Sequence, residues 1–213
     1  QGGYDYEQDR IHGFSQTRRS WHGIVPLLRG RDLVIPDLPG HGTAGHDDAD
    51  LPTIASLLAT TTGPGVFVGY SMGGRVALRL ALDHPNVTRG LVLVGATAGI
   101  DRPDDRAKRR SSDEELAARI ERDGTREFLD RWLAQPLFDG LTVADDDLRA
   151  RRANRAEGLA ASLRNAGTGT MDPPWWDDIG RIGCPVLVVA GERDAKFAGL
   201  GRRLVTAIGE RAS

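Results

Sequence analysis

Little in this chain is redox-active, strongly charged or membrane-like. Its one cysteine, Cys184, excludes an internal disulfide and reads as a small buried residue at a strand entrance, just ahead of Pro185. No apolar run approaches the roughly 20 residues that a membrane-spanning helix needs. With 28 Lys and Arg against 30 Asp and Glu, the net charge of -2 gives no electrostatic basis for nucleic acid or an anionic membrane as a partner. Lysine is almost missing, represented by Lys108 and Lys196, so nearly all the basic charge is arginine. None of the five histidines has metal-ligand company, so no metal is expected. The stretch from Gln1 to Asp9 is polar and shows no strand, and no initiator methionine is present, so an upstream piece is expected to be missing. Cytoplasm is the expected compartment. A chain of 213 residues has length enough to bury an ample single core.

What is present is a sequence of strand and helix signals around one motif. Val66-Phe67-Val68 leads into Gly69-Tyr70-Ser71-Met72-Gly73, and Arg75 to Leu82 follows as a helix-forming stretch. A strand, a turn too tight for side chains at its glycines, and a helix are the setting of a nucleophile elbow, with Ser71 at the positive end of the helix. The alternative is a Gly-rich turn whose serine only caps the helix. His12-Gly13-Phe14 lies where an α/β-hydrolase keeps its oxyanion loop, which makes the N–H groups of Phe14 and Met72 the expected oxyanion donors. Pro185 to Ala190 reads as a buried strand followed by Gly191-Glu192-Arg193-Asp194, so Asp194 is the expected acid, its alternative being a turn or cap aspartate.

The chain order of such a triad is Ser, Asp, His, yet His12, His22, His41, His46 and His84 all precede Asp194. The base is therefore expected beyond Ser213, in a chain truncated at both ends. His12 is read as a support of the oxyanion loop, His41 as structural, and His22, His46 and His84 as surface residues or caps.

The remaining elements alternate as in an α/β protein. Strands are expected over Asp32–Pro36 and Gly90–Val94, and a helix over Leu51–Thr60. From Asp101 to about Thr170 the pattern becomes purely helical, with helices over Asp113–Ile120, Thr125–Leu133 and Asp147–Leu163. The expected architecture is an α/β-hydrolase fold, a mostly parallel sheet flanked by helices. Residues 1–100 and 171–213 form the core and 101–170 an inserted helical cap.

Several stretches narrow this further. His12 to Thr17 with Ser20-Trp21, Asp37 to Gly42, Gly69 to Arg75, Arg106 to Arg109, Trp132 to Phe138, Arg152-Ala153-Asn154 and Gly191 to Phe197 together resemble the 2-succinyl-6-hydroxy-2,4-cyclohexadiene-1-carboxylate synthases of menaquinone biosynthesis. The likeness runs from about residue 11 to the end, and Arg75 after the elbow is among its more specific features. It implies a lyase that eliminates pyruvate from 2-succinyl-5-enolpyruvyl-6-hydroxy-3-cyclohexene-1-carboxylate without a cofactor. In that family a histidine-activated serine acts on a ring proton. By matching positions, Arg75, Arg109 and Arg152 would bind the carboxylates of this small polycarboxylate substrate, and Tyr70, Trp132 and Phe138 would line the pocket. A serine carboxylesterase on the same scaffold, and a base-less binder of an acidic ligand, are the other readings.

Overall fold

The computed structural model describes residues 7–28, 32–45 and 48–213. Five strands form one parallel sheet: β1 (Glu7–Ile11), β2 (Leu33–Val34), β3 (Gly65–Tyr70), β4 (Thr88–Val94) and β5 (Val186–Val189), in the order β2-β1-β3-β4-β5. The chain belongs to the α/β class, as expected, and its flanking helices are α1 (Leu51–Thr61), α2 (Met72–Asp83) and α7 (Ala195–Ile208). Arg211 to Ser213 run beside β5, where Ser213 N–H donates to the carbonyl of Val186 and Val188 N–H to that of Ser213. Among the described residues no helix is long and apolar enough to cross a membrane.

One strand departs from expectation. No strand is expected over Gln1 to Asp9, yet Glu7–Ile11 pairs residue for residue with Gly65–Gly69 on one side, and its Gln8 and Asp9 pair with Leu33 and Val34 on the other. Its sequence, EQDRI, has no strand pattern, and Asp9 and Arg10 are buried. Two neighbouring ladders supply the backbone hydrogen bonds, so tertiary pairing overrides local propensity.

Between β4 and β5 the long elements are all helices: α3 (Pro103–Asp123), α4 (Thr125–Leu133), α5 (Asp145–Arg152) and α6 (Ala156–Ala166). Helix α4 has the predicted bounds. Helix α3 starts ten residues ahead of the expected Asp113, at Pro103 in the first turn with Asp104 and Asp105 beside it, signals of a helix start. The single helix expected over Asp147–Leu163 is two, broken at Asn154. There the Asn154 side chain is engaged by the core: its Oδ1 accepts from Gly42 N–H at 2.6 Å, and its Nδ2 donates to the carbonyl of Ser15 at 3.3 Å.

The main apolar core includes Phe67, Ile11, Leu78, Leu80 and Leu93, all almost fully buried, and its strand residues Ile11, Phe67 and Leu93 share one face of the sheet. A smaller cluster, built on Ile120, Phe128, Leu129, Leu159 and Leu163, forms the inside of the cap. Phe14 packs against both.

Candidate active site

A parallel sheet delivers all its strand C-termini to one edge. The loops that follow β1, β3 and β5 carry His12-Gly13-Phe14, Ser71 and Asp194, so residues more than a hundred positions apart share that edge.

Ser71 has φ 53° and ψ -107°, a backbone conformation that L-residues adopt only under constraint. The constraint comes from its glycines. A Cβ on Gly69 would overlap the backbone of Gly73, and one on Gly73 would overlap the carbonyl oxygen of Ile11. The N–H of Ser71 donates to the carbonyl of Val94 at 2.8 Å, which ties the elbow to the next strand. Its side chain makes no capping hydrogen bond, which removes the reading of Ser71 as a mere helix cap.

The loop after β1 is held by two buried imidazoles. His12 Nε2 accepts from Leu38 N–H at 3.0 Å, and His41 Nε2 accepts from Ser15 N–H at 3.2 Å. Because each Nε2 accepts, each ring carries its proton on Nδ1, facing the carbonyls of Gly13 and Pro39 respectively. Burial lowers the pKa of both, that of His41 to about 3, where the nearby His12 adds to the effect. These are neutral scaffolding rings and not bases. His22 faces Asp146 on the surface and His84 bonds Ser56, while His46 lies outside the described residues. Within the described residues, then, no imidazole is directed at Ser71.

Ser71 opens on a cavity of about 800 Å³ between sheet edge and cap. Of the residues expected at the site, Phe14, Ser71, Met72, Arg75, Arg109 and Trp132 line it. The N–H groups of Phe14 and Met72 donate to no acceptor among the described residues, which leaves both open to a ligand oxygen. Arg75 is buried, and its Nη2 donates to the carbonyl of Ala166 at 2.9 Å, while its Nε has no partner. Burial, and then Arg109, lower its pKa to about 10, against the pull of Asp113. Arg109 Nε reaches both Asp113 oxygens at 2.9 Å. Burial nonetheless keeps the Asp113 carboxyl above its usual range. One carboxylate thus faces two guanidinium groups, an arrangement short of negative charge.

Four expected residues lie elsewhere. Tyr70 packs its ring on Gly13, where a Cβ would come within 2.9 Å of Tyr70 Cδ1; burial raises its pKa, and the charge of Asp194 acts in the same direction. Asp194 caps α7 through Oδ1, which accepts from Phe197 N–H at 3.0 Å, within electrostatic reach of Tyr70 but off the cavity wall. Phe138 packs against Trp132 in a tilted arrangement, with ring centroids 5.8 Å apart, off the cavity wall. Arg152 turns away and pairs with Asp130 at 2.7 Å.

Its neighbour Arg151 turns inward instead. Arg151 is buried, holds Asp147 at 2.6 Å, and its charge acts on both Tyr70 and His12. Successive helical positions point about 100° apart, so of these neighbours Arg151 alone turns inward, where it is engaged by Asp147 and does not line the cavity. Sequence reasoning also missed Arg119, Arg122 and Arg131 on the cavity wall. With α3 read from Pro103, the spacing of Ser112, Leu116, Arg119 and Arg122 marks one side of the helix and would have found the first two arginines. Among the described residues no group of three or more His, Cys, Asp or Glu side chains is placed to hold a metal ion.

A family model described as alpha/beta hydrolase family matches residues 11–212. A Salmonella agona protein named 2-succinyl-6-hydroxy-2,4-cyclohexadiene-1-carboxylate synthase is 33% identical over 202 residues, which cover 91% of this chain and 80% of the relative. The solved structure of MenH from S. aureus superposes with a TM-score of 0.89 at 27% identity, covering 100% of this chain and 84% of that one. A thermophilic esterase from Thermogutta terrifontis, at 24% identity and a TM-score of 0.80, shares the fold.

Proposed function

This chain belongs to the α/β-hydrolase family, within the branch of the 2-succinyl-6-hydroxy-2,4-cyclohexadiene-1-carboxylate synthases, and we propose that it is a cofactor-independent carbon–oxygen lyase of that kind. Its substrate is the enolpyruvyl cyclohexene carboxylate. Ser71 Oγ takes a ring-carbon proton, the ring carbon–oxygen bond to the enolpyruvyl group breaks, and the enol leaves and picks up a proton to become pyruvate. The electron pair released from the C–H bond becomes the new ring double bond. Charge that builds on the conjugated carbonyl meanwhile falls to the N–H groups of Phe14 and Met72.

The observation that carries this reading is the strained Ser71 on the wall of a cavity that also holds Arg75, a guanidinium without a carboxylate partner of its own. A hydrolase of neutral esters has no use for that cation, whereas a polycarboxylate does. Arg109 joins Arg75 on the cavity wall. A serine hydroxyl alone is too weak a base, so the reaction also requires an imidazole from outside the described residues, oriented by Asp194. The test is pyruvate release by the natural gene product, with Ser71→Ala as control. Serine-dependent release supports the lyase, and none from a folded protein removes it.

The vacant N–H pair beside Ser71 suits acyl transfer equally well, which keeps a carboxylesterase as the second reading. It predicts an acyl-enzyme burst with activated esters that Ser71→Ala abolishes.

A further inference from the structure

Among the described residues five arginines line the cavity: Arg75, Arg109, Arg119, Arg122 and Arg131. Three have carboxylate partners. Arg109 holds Asp113, while Arg122 and Arg131 share Asp123, at 2.8 Å and 2.6 Å. Arg75 bonds only a backbone carbonyl. Arg119 has no hydrogen bond or ion pair with any described residue.

The two cations that lack carboxylates stand at different ends of the cavity. Arg75 lies one turn into α2 from Ser71, close enough to Asp113 for their charges to interact. Arg119 stands six positions beyond Asp113 on α3, about 9 Å further along the helix axis. Between them the same wall presents Leu116, with Phe14 and Trp132 also lining the cavity. Cation, apolar wall and cation, in that order, match a ligand with two carboxylates separated by a methylene arm.

We infer that Arg119 is a specificity-determining residue that receives the terminal carboxylate of the substrate's succinyl arm, while Arg75 holds charge at the reacting end. The inference rests on the substrate class proposed above. A succinyl arm ends four carbons from the ring, which carries its carboxylate away from Ser71 toward the α3–α4 end of the cavity. The nearby Asp123 does not neutralise that end, because it is shared by two guanidinium groups.

Binding separates this inference from the reaction itself. ortho-Succinylbenzoate is an aromatic probe with the ring carboxylate and the arm carboxylate, and ortho-butanoylbenzoate lacks the second. Calorimetric titration of the chain is expected to show the first probe binding more tightly. Arg119→Ala, an exposed position whose truncation leaves the core untouched, weakens that probe by about tenfold and leaves the second unchanged. Arg119→Lys recovers part of the loss. In the pyruvate assay the same variant raises KM with kcat held within about twofold, the mark of lost uniform binding. Equal weakening of both probes, unchanged binding of ortho-succinylbenzoate, or failure of ortho-succinylbenzoate to bind the unaltered chain overturns the assignment. Tight, Arg119-dependent binding without pyruvate release sustains the assignment and overturns the lyase.

Discussion

The sheet core and the cap of this protein are held together by different forces. The core is apolar, is buried most fully on one face of the sheet, and uses glycine to bring backbones into contact, as where Gly73 meets the carbonyl of Ile11. The cap has a small apolar interior and secures itself to the core with polar side chains. Ser20 donates to Asp147 at 2.7 Å, Arg151 holds the same carboxylate, and Asn154 binds both the Ser15 and Gly42 loops. Arg106, buried in α3, bonds the carbonyls of Ile100 and Asp101 and the carboxylate of Asp172, so it joins the chain's entry into the cap to its exit. The core positions Ser71 by steric exclusion. The cap leaves polar and cationic groups facing a cavity, because its interior is not filled with apolar side chains. Rigid geometry comes from one region and charge recognition from the other.

The comparison can be broken at its sharpest point first. Ser71→Ala is expected to lower pyruvate release by about 10⁴-fold or more while leaving the urea midpoint unchanged. A residual rate near wild type would show that the core does not supply the reacting group. Gly73→Ala follows, since its methyl would overlap the Ile11 carbonyl and neither backbone can yield. It should cost about 3 kcal/mol or refuse to fold, whereas Gly183→Ala, with open space around it, serves as a neutral control in the same denaturation series.

The cap side is expected to respond less. Asn154→Ala deletes the bonds to Gly42 and Ser15 and leaves the Gly42 N–H without its acceptor, a loss of about 2 kcal/mol in urea unfolding. Because Phe14 lies in the loop released, KM for the polycarboxylate should rise as well. A fall in stability with KM untouched would uncouple the cap's attachment from the site.

The smallest expected effect is acid sensitivity under the cap. His41 has an ordinary pKa of 6.5 that burial lowers to about 3 in the fold, so the unfolded chain binds the proton first. Stability from this group is complete above pH 6.5 and is lost as pH falls toward the folded value. Between pH 7 and 5.5 the loss from His41 is about 1 kcal/mol. Replacing His41 with Gln should flatten that slope in thermal melts taken across the range. A wild-type slope of the opposite sign would show that the ring is charged in the fold.

Much of the core was legible because its signals are local. The glycines of Gly69 to Gly73 announce a turn that no other residue fits, and the alternation of apolar runs with amphipathic stretches announces strands joined by helices. Helix α4 matched its predicted bounds because Thr125 to Leu133 carries a strong helical period. Glu7–Ile11 was illegible because its strand character comes from β2 and β3, not from its own residues. The break between α5 and α6 was hidden for a related reason, since Asn154 interrupts the helix by bonding to loops far away in sequence. Arg151 and Arg152 could not be told apart by composition, and only the docking of α5 turns one inward and the other onto Asp130.

By itself the sequence determined the order of the elements, the strained turn that carries Ser71, and the His12-Gly13-Phe14 loop ahead of it. All three depend on backbone sterics and hydrophobic period within a few residues. Tertiary structure alone decided that His12 and His41 are neutral props. It also decided which arginines keep a carboxylate and which stay open to a ligand. Those outcomes depend on burial and on charges brought together from distant parts of the chain, whose interaction falls off within a few ångströms.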